Sequence, residues 1–227
     1  GKNTTNARKI MAKIIDFINQ FSFVPTVVVA TYAAFVYKKL PPQLKIFTWF
    51  ILLSGIIEAT SRILWFNGKN NMPLLHIYVA AGFLCLSYFY RYLLKDFVNP
   101  KIIWMMQIVF TVFTIINSVF IQNVFTFNSY ALTVESVILV IFSLTTYLLM
   151  MNDVVKKNHA KIRKSVDWLN SGVFIYYASS LLIFHFGNLI TVLSPSALVD
   201  YTWVLHAIFS IVMYCCFFVG LWNRAKN

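Results

Sequence analysis

Long apolar stretches separated by short polar breaks run the length of the chain. Seven of them reach the roughly 20 mainly apolar residues that a membrane-crossing helix needs. They are Ile14–Tyr37, Ile46–Phe66, Pro73–Leu94, Ile102–Ile121, Tyr130–Met151, Val166–Ile190 and Tyr201–Leu221. The breaks carry loop chemistry: Lys38-Lys39-Leu40-Pro41-Pro42, Asn67-Gly68-Lys69-Asn70-Asn71, Asn99-Pro100 and Ser194-Pro195. Strands of a membrane barrel alternate apolar and polar positions over about 10 residues, whereas these runs are continuously apolar. The pattern predicts an all-α integral membrane protein, a bundle of seven transmembrane helices, with a kink at Pro25 in the first.

Composition sharpens this. Of 227 residues, 59% are hydrophobic and 11% charged, against about 45–50% and about 25% in soluble domains. So few charges cannot clothe a soluble core, and so much apolar surface rules out disorder. Cys85, Cys215 and Cys216 all lie inside apolar runs and read as small filler, not as a disulfide or metal framework. The net charge of +12 is spread over short loops. That excludes nucleic acid as a partner and favours the anionic surface of a lipid bilayer.

The basic residues also set an orientation. Lys38, Lys39, Lys45, Arg91, Lys95, Lys101, the loop residues Lys156, Lys157, Lys161, Arg163 and Lys164, and Arg224 and Lys226 fall on one side. Lys69 and the tail residues Lys2, Arg8, Lys9 and Lys13 fall on the other. The richer side is expected to be cytoplasmic, with the N-terminus outside, the C-terminus inside and the protein in the plasma (inner) membrane. Residues 1–13 run against that rule and are expected to lie on the outer surface, with Ile10, Met11, Ile14 and Ile15 dipping into lipid. Residues 14–223 form the single seven-helix domain and 224–227 a cytoplasmic tail.

Ionisable groups are costly in the hydrocarbon slab and generally face the bundle interior. With about 1.5 Å of rise per residue, Glu58 lies roughly 12 Å and Arg62 roughly 6 Å below the outer end of their span. His76 and Tyr78 open the third span, Glu135 the fifth and His206 the seventh, while His185 and Asn188 close the sixth. All belong to the outer third. Periodicity places several on shared faces: Ser54, Glu58, Ser61, Arg62 and Trp65; Glu135, Leu139, Phe142, Ser143 and Thr146; Trp203, His206, Ser210 and Tyr214. In the sixth span the stripe runs Asp167, Asn170, Ser171, Phe174, Tyr177, Ala178, Leu181, His185 and Asn188.

Glu58, Arg62, His76, Tyr78, Glu135, His185, Asn188 and His206 are therefore the candidate ligand-binding residues, lining a polar pocket open to the extracytoplasmic side. Arg62 would hold an anionic group and Glu135 a cationic or hydroxyl group. Plainer roles compete. Glu58 and Arg62 stand four apart with the acid first, and suffice to neutralise each other. Single histidines more often pack than bind ligands, and Tyr130, Trp65 and Trp203 fit interface anchors.

Microbial rhodopsins share the seven-helix layout but hold retinal on a lysine of the last helix. Thr202–Leu221 has none, which excludes a retinal Schiff base. Zinc hydrolases related to ceramidases and adiponectin receptors carry His-x-x-x-His there, where this chain pairs His206 with Ser210. Pro42-Gln43 matches the Pro-Gln dipeptide of two-repeat sugar and amino-acid transporters, but stands beyond the first span. No family is assigned, no cofactor is expected and no catalytic residue is identified.

The favoured expectation is a sensory or small-ligand-binding receptor module, with a cytoplasmic signalling partner at the basic loop between the fifth and sixth spans. A small-solute transporter is the alternative. An intramembrane zinc-dependent hydrolase is a third reading, using His76, His185 and His206 with Glu58 or Glu135.

Overall fold

Proline marks where the helices begin. The computed structural model describes residues 11–225 apart from 12, 16, 19, 96 and 153–160. Its helices are α1 (Val24–Val36), α2 (Pro42–Phe66), α3 (Met72–Leu93), α4 (Pro100–Ile116), α5 (Ser129–Met150), α6 (Arg163–Leu193) and α7 (Ser196–Ala225). Pro25, Pro42, Pro73 and Pro100 sit in the first turns of α1 to α4, where a missing backbone N–H has no intrahelical partner to lose. At the end of α2, Gly68 takes a left-handed φ of 66°. Its N–H donates to Trp65 O and that of Lys69 to Leu64 O, at 3.0 and 2.9 Å. That closure satisfies the last carbonyls and reverses the chain into α3. α4 ends in a π-helical turn, Asn117–Ile121. Among the described residues there is no strand.

Six helices, α2 to α7, are long and apolar enough to cross a membrane, which identifies a multi-pass membrane protein. α1 departs from expectation. The apolar run Ile14–Tyr37 is interrupted at Ser22-Phe23, just before the expected kink at Pro25. Gln20 and Phe21 are helical, Ser22 and Phe23 form a turn, and α1 starts afresh with Pro25 in its first turn. Proline's ring clashes with the carbonyl one turn earlier and offers no hydrogen. The guanidinium of Arg62 fixes the turn from α2, donating to Ser22 Oγ at 3.2 Å and lying 5.0 Å from the Phe23 ring centre. With 13 residues, α1 spans only about 20 Å. The ends of α6 and α7 reach past the apolar windows that located them, because their terminal turns carry polar residues such as Arg163, Lys164 and Arg224.

The helices α1, α2, α3, α5, α6 and α7 pack side to side in a closed ring, with α4 leaning on α3 and α5 from outside. Small residues set the tightest approaches, as in membrane bundles generally. Gly55 of α2 faces Ala30 of α1, and Gly172 and Gly220 bring α6 against α7. Toward the basic end Phe47 meets Phe89 and Phe217 edge-on, with ring centres 5.0 and 4.8 Å apart. Beside this group, Tyr90 and Ser143 both donate to Asn170 Oδ1 at 2.8 Å. All three are buried.

Lys38, Lys39, Lys45, Arg91, Lys95, Lys101, Lys161, Arg163, Lys164 and Arg224 gather at the end where α2, α4 and α6 begin and α3, α5 and α7 finish; Lys69 lies at the other. Of the N-terminal tail, residues 1–10 and 12 lie outside the described residues, as do Lys156, Lys157 and Lys226.

Candidate functional site

At the end opposite the basic residues the ring of helices leaves space inside it. Two adjoining hollows of about 320 and 340 Å³ lie between α1, α2 and α7, with α3 and α6 behind. They share Thr26, Glu58, Asn71, Trp203, His206 and Ser210, so they form one chamber. Ser22 and Arg62 line only its outer part, at the turn that starts α1. Tyr78, Tyr176 and Tyr214 line only its inner part.

The walls follow from helix phase. Glu58 and Arg62, one turn apart on α2, place the acid in both hollows and the base at the rim. Arg62 Nε meets Glu58 Oε1 at 3.4 Å. On α7, Trp203, His206, Ser210 and Tyr214 present one continuous face. Tyr176 shares a hydrogen with His206 Nε2 at 3.0 Å, tying α6 to α7. Tyr78 and Ser54 are bonded at 3.0 Å, tying α3 to α2. Asn71 donates to Ser61 Oγ at 2.6 Å and braces the loop over the chamber. Beneath, Tyr78 stacks on Phe50 and Tyr214 meets Phe217 edge-on, at 6.2 and 5.6 Å. Phe50 and Phe217 are buried, so the floor is a layer of packed rings.

The structure sorts the sequence candidates into distinct places. Glu58, Arg62, Tyr78 and His206 meet at the chamber. His76 does not: it is buried, with Nδ1 at 2.8 Å from Ser118 Oγ and Nε2 at 3.1 Å from Thr126 O. Asn188 donates to Phe127 O at 2.9 Å and to Ser129 Oγ at 3.1 Å. Both residues fasten the chain between α4 and α5. Glu135 is buried behind the chamber, where Tyr177 donates to it at 3.4 Å. His185 is exposed on the outside of α6, beside Phe186. The helix is turned that way because Gly187 lies against the Phe127 ring, where a β-carbon would sit 2.6 Å from Cε1. Tyr177 and Phe184 then point in, and His185, one residue or about 100° further round, points out.

Two assignments change as a result. Trp203 is not an interface anchor; it walls the chamber with its ring centre 5.2 Å from Phe127 and 6.0 Å from His206. Trp65 and Tyr130 are exposed, as anchors would be. The histidine set expected for zinc does not assemble, since His76, His185 and His206 end in three separate surroundings. Among the described residues no group of three His, Cys, Asp or Glu is placed to hold a metal. Tyr176, Thr26 and Asn71 belong to the site, and periodicity alone did not mark them. Tyr176 is one position off the Asn170–Tyr177 stripe, Thr26 sits in a plain apolar helix, and Asn71 reads as loop.

His76→Ala removes both ties to the α4–α5 connection. A loss of about 1–3 kcal/mol is expected from unpairing these buried groups. Thermal unfolding would register it, and limited proteolysis would show faster cleavage within residues 122–128. A variant as stable and as resistant as the parent would contradict the tie.

Scans against protein-family models and searches of curated proteins and of solved structures found no match.

Proposed function

We propose that this protein is a seven-span receptor module that binds a small ligand in the chamber from the extracytoplasmic side. α1, completing the ring between α2 and α7, serves as the additional span. The basic end faces the cytoplasm, following the excess of lysine and arginine there, so the N-terminus is outside and the C-terminus inside the plasma membrane. The observation that carries this reading is the chamber itself. It is a concave site near the size class of small-molecule pockets, with aromatic walls and a few convergent polar groups, and it opens away from the basic loops.

The ring-packed floor favours a receptor over a transporter. A solute path would continue toward the basic end, but Phe47, Phe50 and Phe217 fill the way. Beside them the Tyr90–Ser143–Asn170 cluster is spent on its own hydrogen bonds. Movements of α6 would be read by a cytoplasmic partner at the basic loop preceding it.

The test is thermal stabilisation of the purified protein by a small-molecule library, run beside Ser210→Trp, whose indole fills the shared part of the chamber. Hits should stabilise the parent, lose that effect in Ser210→Trp, and bind sealed right-side-out vesicles from outside. Hits that stabilise both proteins equally, or that bind only from the cytoplasmic side, would overturn the proposal, as would a library without chamber-dependent hits.

A further inference from the structure

The charge and hydrogen-bond state of the walls narrows the ligand class. Among the described residues Glu58 is the one acid lining the chamber, no lysine lines it, and Arg62 is its one permanent cation. Arg62 is committed at the rim: Nε to Glu58, Nη2 to Ser22, and its flat face to Phe23. Its contact with Glu58 is single and long at 3.4 Å, unlike the short two-pronged pairs that saturate a carboxylate. The Glu58 side chain retains 36% of its exposure. Among the described residues its Oε2 has no hydrogen-bond partner. A carboxylate oxygen thus stays open to whatever enters.

The rings complete the environment. Tyr78, Tyr176, Trp203 and Tyr214 line the space around Glu58. Tyr78 and Tyr176 already hold partners on their hydroxyls, so they offer π surface more than new hydrogen bonds. Aromatic rings and an open carboxylate together suit a cation. An anionic ligand would meet Glu58 and find Arg62 engaged. A sugar-like ligand would need many unspent donors and acceptors, and the inner walls supply few.

Resting on the reading of the chamber as a ligand site, we propose that its ligand is a small organic cation, a protonated amine or quaternary ammonium carried on an apolar body. Glu58 is the counter-ion, and Tyr78, Tyr176, Trp203 and Tyr214 are the aromatic enclosure. Arg62 keeps Glu58 oriented and holds the turn at the entrance.

The experiment measures thermal stabilisation and equilibrium binding of the full-length protein with phenethylamine, tetraethylammonium, phenethyl alcohol and phenylacetate. The two cations should stabilise it, the alcohol much less, and phenylacetate not at all. Glu58→Gln should weaken the cations about tenfold or more, with the unliganded protein still folding cooperatively. Trp203→Leu should weaken tetraethylammonium while leaving Glu58 in place.

If the alcohol or the acid binds as well as the amine and Ser210→Trp abolishes that binding, the cation assignment falls and the chamber stands as a site. Cation binding that survives Ser210→Trp lies elsewhere and overturns both readings. If none of the four probes binds, the cation proposal is overturned, and library hits blocked by Ser210→Trp would still support the chamber.

Discussion

Gly172→Val is expected to destabilise the protein by at least about 3 kcal/mol, the upper range for overpacking a filled interior. On the scaling for chains of this size, that lowers Tm by roughly 6–12 °C. A β-carbon at Gly172 would stand 2.8 Å from Phe217 Cε1 and 3.0 Å from both Cys216 Cβ and Met213 O. The Phe217 ring has little room to swing, because it is buried and edge-on to Phe47 and Phe50. The Met213 oxygen is backbone and moves only if α7 moves. Relief therefore requires α6 and α7 to part, along the most extensive helix contact in the bundle. Gly172→Ala already adds that β-carbon with all three contacts and is expected to cost about 1–2 kcal/mol, and the two further methyls of valine supply the rest. Thermal unfolding in detergent, followed by tryptophan fluorescence, gives the comparison. A valine variant within about 0.5 kcal/mol of the parent, the spread of ordinary surface changes, would mean the two helices do not approach as described.

The second large effect is expected at Asn170. Its Oδ1 accepts from Tyr90 and Ser143, both at 2.8 Å, and its Nδ2 donates to Ser143 O at 3.1 Å. Single interhelical hydrogen bonds in membranes average about 0.6 kcal/mol. Asn170→Leu breaks several at once and leaves the buried Tyr90 hydroxyl short of a partner, a penalty of about 1–3 kcal/mol. The expected total is about 2–3 kcal/mol. Tyr90→Phe in the same background tests the cause, because removing the stranded hydroxyl should recover part of the loss. The double variant should then be more stable than the sum of the single changes predicts. Strict additivity would show that the three residues do not act as a unit.

Membrane-crossing helices were readable because they depend on composition over long windows, which no single tertiary contact overrides. Pro73 located a helix start for the same local reason, whereas α2 and α4 begin at Pro42 and Pro100, ahead of the expected Ile46 and Ile102. The break before α1 was not readable. Ile14–Tyr37 is one apolar run, and Pro25 is compatible with a kink or a start. The choice is made from a distance, by Arg62 gripping Ser22 and Phe23.

The site divides along the same line. Glu58 and Arg62 on α2 and His206 on α7 were legible because each helix turns one polar face inward, and periodicity reports a single face well. α6 is packed on two sides, by α5 and by α7. A helix buried on two faces has no single polar stripe to find, so periodicity did not mark Tyr176, which lines the chamber, and pointed His185 inward where the structure turns it out. His76 was placed at the right depth but with the wrong neighbours. Depth follows from counting residues along one helix, whereas its partners, Ser118 and Thr126, come from distant parts of the chain.

The layer of Phe47, Phe50, Phe89 and Phe217 has a mechanical meaning. Edge-on ring contacts hold by dispersion and weak quadrupole forces, with no directional bond to break. A ring that tilts or slides there strands no donor and no acceptor. The α2 and α7 walls of the chamber thus meet at a joint that resists separation but tolerates rotation. A shift of α7 against α2 would cross this joint as reoriented rings, reaching the adjoining tyrosine–asparagine latch with its hydrogen bonds still made.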